Sequence, residues 1–273
     1  MLVSMVKSMN EAKKKGYCVP AFGVGNEVNV RAVLDAAEAK RSPVILLVMA
    51  MNTPDMQYFG RICQDLGVRA SVPVSVILDH GATYEEAMKA IQAGFTDIMI
   101  DRSTLPYEEN VAQVKELVKA AHAIGVGVEG ELGHVGFGDN DVHNAFTVPS
   151  EAVDFVERTG IDALAVSIGT IHGAYKGEPN LQFELLEELA AKVGVPLALH
   201  GGSGTGDENL ARACRMGINK LNIAYDLYRG AIDAIQAVDC SGNGAYGLFA
   251  YIHDGIKKTA EHFMDLTGST GKA

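Results

Sequence analysis

The chain has 273 residues, 48% of them hydrophobic, with 30 glycines, 8 prolines and no tryptophan, and Lys+Arg 23 against Asp+Glu 34 gives a formal net charge of −11. This composition excludes a disordered chain, a collagen and a disulfide scaffold, and an acidic chain without a basic cluster is a poor partner for nucleic acid or an anionic membrane surface. No apolar run approaches the ~20 residues of a membrane span, and the N-terminal segment lacks the pattern of a secretory signal, so a cytoplasmic setting is expected. The four cysteines, Cys18, Cys63, Cys214 and Cys240, are widely spaced with no CxxC pair and read as buried thiols of a reducing compartment.

In chain order, a helical stretch at 3–15 comes first, placed to close the floor of a barrel, followed by a strand at 17–22 and a helix at 27–41. Strands at 43–49, 73–79, 95–101 and 126–131 then alternate with helices at 55–66, 83–93 and 107–124. Beyond a loop at 132–148 come a helix at 150–159, a strand at 162–168, a helix at 181–192, a strand at 196–200, a helix at 206–215 and a strand at 218–223. The tail 226–266 reads as two or three further helices, broken at Gly242–Gly244. Most strands are solid Val/Ile/Leu runs, which suits burial on both faces. Thr83 and Ser150 stand before acidic first turns and read as helix N-caps, while Gly94, Gly125, Gly160, Gly194 and Gly217 read as C-caps. Eight strands each followed by a helix predict an α/β chain, a (β/α)8 TIM barrel with extra N-terminal and C-terminal helices, as one domain over 1–273. An open doubly wound sheet is the alternative.

The polar residues gather just after the strands. Asp79-His80-Gly81 closes the third, Asp101 the fourth, Glu129 and Glu131 the fifth, and Gly169-Thr170-Ile171-His172-Gly173 follows the sixth. His200-Gly201-Gly202-Ser203-Gly204 follows the seventh and Asn222 ends the eighth. In such a barrel these ends share one face, where active sites lie. One strand-end histidine is more often structural; His80, His172 and His200 together suit a zinc site with an open fourth position. Asp79 is placed for acid/base work. His122, His134, His143, His253 and His262 read as solvated or structural. The GGSG run beside Asn222-Ile223-Ala224-Tyr225 reads as a phosphate nest or else a tight turn. The loop 132–148, with Asp139 and Asp141, is a surface excursion or a mobile lid carrying a catalytic carboxylate.

Seven segments carry a resemblance: LDHG at 78–81, GFTDIMID at 94–101, VEGELG at 128–133, SIGTIHGAYK at 167–176, LHGGSG at 199–204, INKLNIA at 218–224 and the ending GSTGKA at 268–273. Over nearly its whole length the chain resembles the class II, metal-dependent ketose-bisphosphate aldolases of the fructose and tagatose type. The resemblance implies that His80, His172 and His200 bind one Zn2+ holding the oxygens of dihydroxyacetone phosphate, that Asp79 exchanges a proton with the aldehyde oxygen, and that Asn222 hydrogen-bonds the enediolate. It implies that Gly173, Gly201, Gly202 and Ser203 wrap the phosphate with the backbone of Ile223, Ala224 and Tyr225, and that Lys176 supplies positive charge. A monovalent cation (Na+ or K+) near the phosphate and a homodimer or homotetramer are family features. Glu131 is implied as a supporting carboxylate near the metal. Asp139 stands where the family has the glutamate that takes the donor-carbon proton, with Asp141 next in line. The implied reaction is reversible cleavage of a ketose 1-phosphate or 1,6-bisphosphate to dihydroxyacetone phosphate and an aldehyde such as glyceraldehyde 3-phosphate.

Departures from the family pattern fall on the aldehyde side. Asn26 is kept as a substrate contact, but Gly23 replaces an amide, Met49 a hydroxyl residue, and Tyr225 a threonine. Ala224 follows the tagatose type. Tyr228, beside Arg229, takes the place of an arginine, and Arg102 replaces a glycine, to meet an acidic or phosphorylated acceptor or to stay solvated. The alternatives are therefore a different acceptor aldehyde, acidic or non-phosphorylated, a zinc-dependent hydrolase, or a non-catalytic aldolase-like subunit.

Overall fold

A computed structural model describes residues 1–53, 55–136, 145–173 and 175–273. The apolar runs form eight strands: β1 (Val19–Gly23), β2 (Val44–Val48), β3 (Val74–Gly81), β4 (Asp97–Ile100), β5 (Gly127–Leu132), β6 (Ala163–Val166), β7 (Leu197–Leu199) and β8 (Ile218–Ile223). Every pairing is parallel, and β8 pairs with β1 in the register Val19↔Lys220 and Ala21↔Asn222, which closes the ring in chain order. Closure excludes the open doubly wound sheet. The helices are α1 (Met5–Lys15), α2 (Glu27–Lys40), α3 (Met56–Arg69), α4 (Tyr84–Gln92), α5 (Tyr107–His122), α6 (Pro149–Thr159), α7 (Phe183–Lys192), α8 (Asp207–Arg215), α9 (Tyr225–Gln236) and α10 (Leu248–Leu266). The break expected at Gly242–Gly244 is a 3-10 turn over Gly242–Gly247, with α10 packed on α2 and α9. Among the described residues, no helix is long and apolar enough to cross a membrane.

Two apolar layers follow from strand alternation. Outward residues such as Phe22, Val76, Leu78, Ile98, Leu164 and Leu221 pack under the helices. Inward residues fill the barrel unevenly: β2, β3 and β4 contribute Ile45, Leu47, Ile77 and Met99, whereas β6 and β7 contribute the alanines Ala163, Ala165 and Ala198. The small side leaves room for long side chains arriving from β5 and β8.

The expected floor is α1, which drives Met5 and Met9 into the same inner cluster. Burial of each contributes roughly 1.5–3 kcal/mol. Its N-terminus is held by Asp97 at the foot of β4, whose carboxylate accepts from Ser4 Oγ at 2.6 Å, the Met5 amide at 2.7 Å and Thr96 Oγ1 at 2.7 Å.

Some terminal signals resolve differently from their sequence reading. Thr83 caps α4, accepting from the Glu86 amide at 3.1 Å. Ser150 does not cap α6: Pro149 occupies the first turn, with the cap at Val148, because proline's fixed φ and missing N–H suit that position. Gly160 caps α6 in the left-handed region at φ 75°, and Gly94 and Gly217 take positive φ one residue past their caps. Gly194 does neither, since α7 ends on Val193 in extended geometry.

Asp97→Ala strips three donors of their acceptor at the barrel floor, and is expected to lower unfolding free energy by about 2–4 kcal/mol. A urea midpoint unchanged from wild type contradicts this role.

Candidate active site

Successive strand residues normally face opposite sides of a sheet, yet Asp79 and His80 both line the cavity at the C-terminal end of the barrel. His80 achieves this in the left-handed region, at φ 48°, where the β3–β4 register shifts between Leu78 and Gly81. That conformation costs a non-glycine residue roughly 1–2 kcal/mol, and it turns two neighbouring polar side chains to one side.

Three imidazoles meet there. The ring centroids of His80 lie 4.9 Å from His172 and 4.7 Å from His200, and the ligand nitrogens of the trio all fall within 4.8 Å of one another. His80 Nδ1 lies 2.9 Å from Asp101 Oδ2, and Asp101 Oδ1 accepts from the Ser103 amide at 3.0 Å and Ser103 Oγ at 2.6 Å. His200 Nε2 lies 2.8 Å from Glu129 Oε1, which also accepts from Lys220 Nζ at 2.9 Å. Burial pushes both carboxyls up, but the hydrogen bonds and charges of their partners outweigh it. His80 and Ser103 hold Asp101 well below the usual range, and Lys220 with His200 brings Glu129 down to about 2.

Ionised carboxylates only accept, so His80 donates from Nδ1 and His200 from Nε2. The remaining nitrogens, His80 Nε2 and His200 Nδ1, face each other at 2.8 Å. Two lone pairs that close are repulsive unless a cation or a proton sits between them. Nearby, Glu131 Oε2 is buried with no hydrogen-bond partner among the described residues, 3.9 Å from His80 Nδ1 and from His200 Nδ1. Burial lowers the His80 pKa, but the charges of Asp79, Asp101 and Glu131 raise it to about 9. For His172, burial and then its two imidazole neighbours push the pKa down to about 2, so it stays a neutral donor. Imidazole nitrogens with a buried carboxylate beside them are the donor set of a zinc-type ion, and the residues fit one.

Around the trio the cavity is lined by Leu47, Met49, Asp79, Gly173, Gly201, Gly202, Ser203, Asn222, Ala224 and Tyr225. Asn222 Nδ2 donates to Asp79 Oδ1 at 3.1 Å, and Asn222 Oδ1 is buried with no partner among the described residues. Gly201 sits at φ 65°, and a Cβ there would stand 2.4 Å from the Ile171 carbonyl oxygen. Ser203 Oγ accepts from the Ala224 amide at 3.3 Å and the Asp226 amide at 3.2 Å, which joins the glycine turn to the start of α9. Helix N-termini and such turns are anion sites.

Other expected site residues lie elsewhere. The side chain of Ile223 packs in the outer core, so only its main chain faces the nest. Asn26 is the N-cap of α2, its Oδ1 accepting from the Asn29 amide at 3.0 Å, and is no part of the lining. Arg102 is tied back to Gln113, the Ala82 carbonyl at 2.9 Å and the Asp101 carbonyl at 2.8 Å, and is outside the lining too. Lys176 is exposed and outside that lining. Asp139, Asp141 and His143 lie outside the described residues.

Sequence reasoning missed Lys220 and Ser103, and it read His134 as solvated or structural, of which the structure shows the second. His134 is buried, its Nδ1 2.7 Å from Ser103 Oγ and 3.6 Å from Glu131 Oε1, which extends the network behind His80. The signal for Lys220 was available: a lysine two residues before Asn222 in INKLNI shares its inward face.

A closed parallel barrel with three histidines that could hold a metal ion, gathered with a glycine turn at the C-terminal ends of its strands, has the architecture of a barrel enzyme. The chain belongs to the class-II fructose-bisphosphate aldolase family: residues 3–272 match the family described as "Fructose-bisphosphate aldolase class-II". It is 39% identical over 283 residues to the "Probable fructose-bisphosphate aldolase" of Bacillus subtilis (strain 168), covering 100% of this chain and 99% of that relative. It is likewise 39% identical over 285 residues to the fructose-bisphosphate aldolase of Geobacillus stearothermophilus, with the same coverage. Among solved structures, the YdjI aldolase of Escherichia coli K12 superposes with a TM-score of 0.91 at 36% identity, covering 100% of both chains. The protein is an aldolase, a carbon–carbon lyase.

Gly201→Ala meets both the strain of positive φ and the Ile171 carbonyl, and is expected to cost about 3 kcal/mol or more. At Gly173, φ 89° but with nothing within 4 Å of an added Cβ, alanine is expected to cost only about 1 kcal/mol. Equal melting temperatures for the two variants contradict this.

Proposed function

We propose that the protein is a zinc-dependent aldolase that reversibly cleaves a fructose- or tagatose-type ketose 1-phosphate or 1,6-bisphosphate to dihydroxyacetone phosphate and an aldehyde. The observation that carries this reading is the convergence of His80, His172 and His200, whose ligand nitrogens all lie within 4.8 Å of one another, at a cavity lined by the glycine turn. The names of the relatives support the sugar bisphosphate as substrate class.

His80, His172 and His200 would hold the zinc. When bound, zinc supplies Lewis-acid polarisation of the substrate carbonyl. Asp79 has Oδ1 held by Asn222, which leaves Oδ2 to exchange a proton with the aldehyde oxygen as the carbon–carbon bond breaks or forms. The second hydrogen on Asn222 Nδ2 is placed to donate to a substrate oxygen.

The nest narrows the phosphate's partners. The amides of Gly202, Gly204, Ala224 and Asp226 are already engaged, with the Asn222 carbonyl, the Asp226 carboxylate and Ser203 Oγ. The main chain of Gly173, Ser203 and Tyr225 is therefore assigned to the phosphate, with the N-terminus of α9 behind it.

A specific observation favours an acceptor without a distal phosphate. Leu47, Met49 and Tyr225 wall the rest of the cavity, and among the described residues no lysine or arginine lines it. Arg229 is paired with Asp233 at 2.6 Å, and Arg102 is tied back as described.

Cleavage of fructose 1,6-bisphosphate, tagatose 1,6-bisphosphate and the corresponding 1-phosphates by zinc-loaded protein tests both parts. Activity is expected to vanish with a chelator and return with zinc; activity that survives chelation, with a borohydride-trapped lysine adduct, overturns the metal reading. A 1-phosphate is expected to match or exceed its bisphosphate in kcat/KM, and a bisphosphate preferred by 100-fold would remove the apolar-acceptor reading.

A further inference from the structure

Lys220 lies in the middle of β8 with its side chain inside the barrel and no part of it exposed. A buried ammonium persists only when paired. Its partner is Glu129 of β5, whose Oε1 accepts from Lys220 Nζ at 2.9 Å and from His200 Nε2 at 2.8 Å. Both donors thus converge on one oxygen, while Glu129 Oε2 has no hydrogen-bond partner among the described residues.

Two strands, β6 and β7, stand between β5 and β8. Their inward residues at this level are Ala163, Ala165 and Ala198, in register with Glu129, Glu131 and Lys220. Only residues this small leave the width a lysine needs to reach Glu129. Neither Lys220 nor Glu129 lines the cavity, so neither is placed to touch substrate.

Resting on the reading of His200 as a zinc ligand, we propose that Lys220 and Glu129 are positioning residues for His200. Lys220 anchors Glu129 Oε1, and that oxygen fixes the imidazole with its proton on Nε2 and its lone pair on Nδ1 turned toward His80 Nε2. A carboxylate offers no proton, so the ring cannot keep this bond in its other tautomer. Without Lys220 the carboxylate is free to turn, and His200 is free to place a proton on the nitrogen that must bind metal. An ammonium tied to a carboxylate beneath the site acts by orientation; it is not a nucleophile toward the substrate carbonyl. Loss of such outer partners costs about 10–100-fold in metal affinity.

The test compares zinc dissociation constants, by chelator competition, in wild type, Lys220→Met and the charge-balanced Lys220→Met/Glu129→Gln, each with a thermal melt. The double variant removes the buried charges together, so it is expected to melt near wild type and still bind zinc 10–100-fold more weakly. Zinc affinity within twofold of wild type in the double variant would make the pair merely structural and overturn the proposal. In parallel, 15N NMR of the neutral His200 ring in zinc-free wild type, assigned by its loss in His200→Asn, is expected to show Nε2–H; an Nδ1–H ring overturns the proposal even if neither variant folds. Wild type that binds no zinc but keeps the Nε2–H ring would sink the zinc reading alone.

Discussion

Two imidazole nitrogens that face each other at 2.8 Å, each already committed on its far side to an ionised carboxylate, form the constraint on which the site depends. Neither ring can change tautomer, because Asp101 and Glu129 would each lose the proton they accept, so the contact calls for a second proton on His80 or a cation between the rings. Each carboxylate is itself pinned, Asp101 by Ser103 and Glu129 by Lys220. Against burial, the carboxylates around the trio favour positive charge there, which is what raises the His80 pKa to about 9. In the proposed reading a divalent cation would take the place of that second proton between the facing nitrogens, at a site built by the left-handed backbone of His80.

The barrel divides the labour along its axis. At the floor, α1 and Asp97 seal the N-terminal end with methionines and three hydrogen bonds, a matter of stability. At the top, strand ends deliver Asp79, His80 and Asn222 to one cavity, with His200 buried just behind His80. Between these ends runs a polar bridge from β8 to β5, made possible by alanines on the intervening strands. The chain's acidity explains another feature. The chain has a net charge of −11 and no lysine or arginine among the described lining residues, so the proposed reading relies on backbone amides, a helix N-terminus and a metal ion to meet an anionic substrate.

Much of this was legible because the local signals agreed with the fold. Solid apolar runs marked strands buried on both faces, and all eight form and close in chain order. The histidine trio could be read because each member sits at the same end of its strand. The less legible features depend on partners far off in the chain. Nothing local marks His80 for positive φ, since the glycine that usually signals it follows at Gly81. Lys220 finds Glu129 across 91 positions, and only the barrel's register brings them together. Arg102 reads as a free charge at a rim until Gln113 and two carbonyls claim it. Asn26 reads as a substrate amide, and the structure adds a role that its local sequence did not show, its Oδ1 capping the start of α2. Ser150 loses its expected role because Pro149 already satisfies the first turn.

The central claim, that a metal ion joins His80, His172 and His200, is tested most directly by crystals of the zinc-treated protein measured on both sides of the zinc absorption edge. The account predicts one strong anomalous peak bonded to His80 Nε2 and His200 Nδ1, with His172 completing the protein ligands and Glu129 still bonded to His200 Nε2. An anomalous map with no peak between those nitrogens, from protein that still cleaves its sugar phosphate, would contradict it.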